Sequence, residues 1–154
     1  MATLETVAIS ATVSLVVSLL AFEYRFRREQ AHEQQQEVQD WYRETAEISK
    51  RVQQKWRQEY KRPSENGSFT GFDNVKRKMK LLGSELSGHV SKSQDLDVDP
   101  EIVDGLEEAS DYCHEFTDIY IGMGGKGIDE FNETGEKLIE TAEEVRQESL
   151  RRIS

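Results

Sequence analysis

Four groups of residues in this chain have the types that chemistry uses. Residues 122–127, GMGGKG, spell a literal G-x-G-x-x-G, the glycine spacing that lets backbone approach a pyrophosphate. That reading requires a βαβ unit with a second strand and an acidic residue for the ribose. Only 27 residues follow, and they read as one helix. A phosphate loop fails as well, because Lys126 is followed by Gly127 rather than Ser or Thr. The glycines are therefore expected to form an interhelical turn.

Asp95, Asp97 and Asp99 alternate as the first ligands of a calcium loop do. The sharp turn then needs Gly where Pro100 stands, and the bidentate Glu is replaced by Leu106. The histidines His32, His89 and His114 form no pair at metal-ligand spacing. The adjacent Cys113 and His114 point to different parts of a helix face, a poor arrangement for zinc or for nucleophilic catalysis. Within residues 38–154 no Glu-x-x-His pair of the di-iron type occurs. The sequence thus predicts no catalytic residue, no metal site and no cofactor, and a protein that is not an enzyme. Cys113 is expected in a core.

The fourth group is basic. Lys76, Arg77, Lys78 and Lys80 surround Met79 in VKRKMKLL. They are either a solvated helix face or an interaction face for anionic lipid or an acidic partner.

The elements that position these residues are helical. Two prolines and an absence of alternating β-branched runs argue for an all-α chain. Val38, Trp41, Thr45, Ile48, Val52, Trp56 and Tyr60 recur at steps of three and four, a helical stripe with heptad character. KRPSENGSFTG, residues 61–71, is expected to break it, with Thr70 and Asp73 as a weak capping box for the next helix. Phe72, Val75, Met79, Leu82, Leu86 and Val90 form the second stripe, interrupted by Gly83 and Gly88. Asp99 before Pro100 is a start signal. Ile102, Leu106, Ala109, Cys113, Phe116 and Tyr120 form the third stripe. Ile128, Phe131, Leu138, Ala142, Val145 and Ile153 form the fourth, with Gly135 at a heptad slot. Helices of matching length joined by short loops predict an antiparallel four-helix bundle over residues 38–154.

Ahead of the bundle the composition changes. Residues 6–22 carry no charge, Gly or Pro. Seventeen such residues form a helix of about 25 Å, the short end of what crosses a bilayer. No basic residue precedes them and FEYRFRR follows, so a cleaved signal peptide is not expected. Residues 4–24 are expected to be a transmembrane anchor. Arg25, Arg27 and Arg28 flank it on one side only, which places the N-terminus outside and the bundle in the cytoplasm. Residues 25–37, with only Ala31 to offer a core, read as a polar helical stalk. Thr6, Ser10, Ser14 and Ser18 recur every four residues, a small-residue face suited to association of two such helices.

Charge is divided along the chain. Residues 23–92 hold 15 Lys+Arg against 11 Asp+Glu, whereas residues 93–154 hold 5 against 18. The acidic half argues against nucleic acid as a partner, and the basic half suits an anionic membrane surface. A single cysteine excludes an internal disulfide. Together these features predict a single-pass, membrane-anchored helical module that tethers or scaffolds a protein partner. The alternative is a structural protein of a membrane or envelope that assembles with copies of itself.

Overall fold

A computed structural model describes residues 4–66, 69–122 and 125–154, with side chains over 13–59, 71–122 and 125–154. Among these residues there are four α-helices and no strand: α1 (Leu4–Asn66), α2 (Phe69–Lys92), α3 (Pro100–Glu115) and α4 (Ile128–Ile153), with a single 3-10 turn at Ser93–Asp95. The chain divides into two compact units, Met1–Glu37 and Val38–Ser154.

The second unit is a four-helix bundle. Its core is the sequence stripes brought face to face: Trp41, Ile48, Val52 and Trp56 from α1, and Phe72, Val75, Met79 and Leu86 from α2. Ile102, Leu106, Ala109 and Cys113 come from α3, and Phe131, Leu138, Ala142 and Val145 from α4. Burying one such side chain contributes about 1.5–3 kcal/mol, so the seams and not local propensity hold the bundle together. The helices alternate in direction. Thr45 of α1 meets His89 of α2, while Glu59 near the other end meets Lys78. Ser110 of α3 bonds the carbonyl of Gly83 and the hydroxyl of Ser87 in α2. Gln53 of α1 donates to the carbonyl of Ile139 and to Glu143 of α4.

One end of the core is aromatic. Trp56 stacks on Phe116 at 4.9 Å between ring centroids, Phe116 meets Phe131 at 4.8 Å, and Phe72 sits edge-on to Phe131 at 5.3 Å. Such offset and edge arrangements add about 0.5–1.5 kcal/mol per pair beyond burial. Gly135 makes room for this cluster, because a Cβ there would overlap the Trp56 indole.

Three boundaries differ from the sequence reading. Helix α1 continues through Pro63 to Asn66 rather than stopping at residue 61. A proline removes one i→i−4 bond, and the helix runs on across it for three more residues. Helix α2 begins at Phe69, so Thr70 lies inside the helix and is not its cap. Helix α3 ends at Glu115, well short of Tyr120. There the Thr117 hydroxyl and backbone N–H both donate to the His114 carbonyl, which closes the helix as a tight turn. Beyond the turn the helical register is lost, and Ile119 is buried in the core while Tyr120 is 74% exposed. Gly127 ends this loop with φ 85°, a left-handed conformation in which any Cβ would strike the Tyr120 carbonyl.

The first unit is helical from Leu4 onward. Among the described residues no helix is long and apolar enough to cross a membrane. The expected anchor over residues 4–24 therefore gains no support from that criterion, and the side chains before Val13 lie outside the description.

Candidate functional site

The glycine-rich stretch contributes no strand among the described residues. Gly122 donates its N–H to the Lys126 carbonyl, which makes a closed turn between α3 and α4. Met123 and Gly124 lie outside the described residues. Of the three alternating aspartates, Asp99 is engaged in holding the fold. Asp99 caps α3, its carboxylate accepting from the Glu101 N–H at 3.0 Å. It also pairs with Arg152 at the end of α4. Among the described residues no group of three His, Cys, Asp or Glu is placed to hold a metal ion. Cys113 is fully buried, and burial pushes its thiol up to about 12, far from a reactive thiolate.

The basic face of α2 is split by the fold. The Lys76 ammonium donates to the Ile119 carbonyl and so ties the loop after α3 to α2. Lys78 pairs with the buried Glu59 of α1 at 2.6 Å. Arg77 donates to Asn74 at 3.1 Å within its own helix. Lys80 is exposed. Two of the four cations thus tie α2 to other parts of the bundle.

In the first unit Arg25, Arg27 and Arg28 are exposed, with Arg27 paired to Glu23 at 2.5 Å. Of the four-residue repeat, Thr6 and Ser10 lie outside the described side chains. Ser18 donates its hydroxyl to the Ser14 carbonyl at 2.8 Å, inside its own helix. Around them Val13, Leu15, Val16, Val17, Leu19, Leu20 and Phe22 are each 49–69% exposed. Soluble surfaces seldom leave so many consecutive large apolar side chains uncovered.

A groove of about 700 Å³ lies between α3 and α4. Its floor is Ile102, Gly105 and Val145, and the helices close together there because Gly105 has no side chain to meet the Val145 methyl. Its walls are mostly carboxylates, Glu101, Asp104 and Glu108 on α3 and Glu144 and Glu148 on α4, with Arg151 beside them. Glu148 is shared between Arg151 and Arg152, and Glu108 accepts from the Tyr112 hydroxyl, which raises the Tyr112 pKa. The sequence reading assigned the excess of acid to residues 93–154, which include the third helix. It did not pair that helix with α4, because which two acidic faces border one groove is decided by topology.

No family model, curated protein or solved structure matches this chain.

Proposed function

We propose that this chain is a membrane-anchored interaction module that holds a partner protein at the bilayer surface. The observation that carries the reading is the exposed apolar helix surface from Val13 to Phe22. Buried in lipid, each such side chain gains about 1.5–3 kcal/mol relative to water. Arg25, Arg27 and Arg28 at its end suit anionic headgroups and orient the bundle to the cytoplasm. The anchor then raises the local concentration of whatever the bundle binds.

The acidic groove is the surface this reading assigns to the partner. Its apolar floor and carboxylate walls fit a helix with one apolar stripe flanked by Lys and Arg. The basic face of α2 is the weaker candidate, since Lys76 and Lys78 are engaged within the bundle.

Alkaline carbonate extraction of native membranes, followed by cross-linking and mass spectrometry, tests the reading. The full-length chain is expected in the membrane pellet, cross-linked to a different protein through Asp104, Glu144 or their neighbours. Release into the carbonate supernatant would defeat the anchor. Cross-links confined to copies of this chain would favour self-assembly instead.

A further inference from the structure

His89 is 2% exposed, and its surroundings define where its protons are. The Thr45 hydroxyl has one proton, and it donates that proton to the Trp41 carbonyl at 2.8 Å. The same oxygen lies 2.8 Å from His89 Nε2, so it accepts there, and Nε2 carries the imidazole hydrogen. In the neutral ring Nδ1 is then a bare lone pair. It has no hydrogen-bond partner, and it is buried. The ring is stacked on Trp41, centroids 5.1 Å apart and planes within 8°, while Trp41 Nε1 donates to the His89 carbonyl at 3.4 Å. A neutral His89 thus locks α1 to α2 through three contacts at once.

We propose that His89 is an acid-sensitive latch, and that a proton on Nδ1 opens the α1–α2 seam around Trp41, Thr45 and His89. The added N–H needs an acceptor. The Glu44 Oε2 carboxylate oxygen lies 3.7 Å away, beyond hydrogen-bond reach. The other oxygen of Glu44 holds Lys92 at 2.8 Å, so closing on His89 strains that ion pair. Otherwise the seam opens to admit water.

The charges that face the ring are few. From α1 there is Glu44, with Arg51 behind it. From α2 there are Lys92 and Glu85, the latter paired to Arg51 at 2.6 Å. Burial is the largest influence and disfavours the charged ring. Glu44, the Trp41 backbone and Glu85 favour it and Lys92 opposes it, leaving the His89 pKa below the ordinary value. A base whose pKa is lower folded than unfolded stabilises the fold above its unfolded value. That stability is lost as pH falls through the unfolded value, because the unfolded chain then binds the extra proton. With an unfolded value of about 6.5, the folding constant falls by up to about tenfold between pH 7.5 and pH 5.5.

The test is urea unfolding of the full-length chain in detergent micelles at both pH values, followed by tryptophan fluorescence. His89→Gln keeps a donor for Thr45 and cannot titrate, so the pH dependence of the unfolding midpoint should flatten. Glu44→Gln removes the charge that favours the proton, so the dependence should steepen. Equal pH dependence in wild type and H89Q overturns the latch. If H89Q does not fold, an unchanged or shallower dependence in E44Q overturns it instead. Hydrogen exchange, corrected for intrinsic rates, locates the change. Protection should fall at pH 5.5 in residues 38–48 and 84–93 and hold in α4, and a uniform loss across the bundle would contradict the assignment.

Discussion

Gly135 and Gly88 are the same residue in two opposite situations. At Gly135 a Cβ would overlap the Trp56 indole, at the centre of the aromatic cluster. Gly135→Ala is expected to cost about 1–3 kcal/mol by overpacking. At Gly88 a Cβ meets nothing within 4 Å, and the residue is an exposed interior position of α2. Gly88→Ala should therefore stabilise by about 0.5–1 kcal/mol through helix propensity. Chemical denaturation of the two variants beside wild type checks both signs together. Cys113 offers a second measure. Its thiol is buried and held far from ionisation, so maleimide labelling under native conditions should be slow and limited by opening of the core. Rapid native labelling would mean that the α2–α3 seam is not closed as described.

At the scale of the element, α3 depends on its first residue. Asp99 accepts from the Glu101 N–H, Pro100 occupies the first helical turn, and Arg152 brings the end of α4 to the same carboxylate. One side chain therefore fixes a helix start and joins two elements. Asp99→Ala is expected to cost about 1–2 kcal/mol, and Asp99→Asn less, since asparagine still caps but cannot pair with Arg152. Thermal unfolding of the two variants separates the cap from the ion pair. The signal of Asp followed by Pro was legible in the sequence because capping is local. The partnership with Arg152 was not, because 53 residues separate the two. Helix α3 also shows how a stripe misleads. Phe116 and Tyr120 continue its spacing, yet the helix ends at Glu115, the Thr117 hydroxyl closes the turn, and Ile119 is buried in place of Tyr120.

At the scale of the whole molecule the question is which charged surface remains available. The sequence offers a basic half and an acidic half. The bundle uses Lys76 and Lys78 internally, and leaves the carboxylates of the α3–α4 groove facing one another across an apolar floor. Binding there should be electrostatic and therefore sensitive to salt. Asp104→Lys with Glu144→Lys is expected to abolish recovery of a partner cross-linked in wild-type membranes, whereas Lys80→Glu should leave it intact. Pull-down at low and high ionic strength reads both. The reverse pattern would move the docking surface to α2.

The sequence by itself determined the helices, their apolar stripes, the cap at Asp99, the turn at the glycines and the abrupt change of composition near residue 22. All of these follow from spacing within one or two turns of chain, where propensity and periodicity act. Only the tertiary structure decided how those surfaces are spent. It buried His89 beside Trp41 with a bare nitrogen, set Lys78 on Glu59, closed Gly135 over Trp56 and opened the acidic groove. Each of these joins residues more than 15 apart in the chain, and their pairing is fixed by which helix faces pack together, a choice that local spacing does not encode.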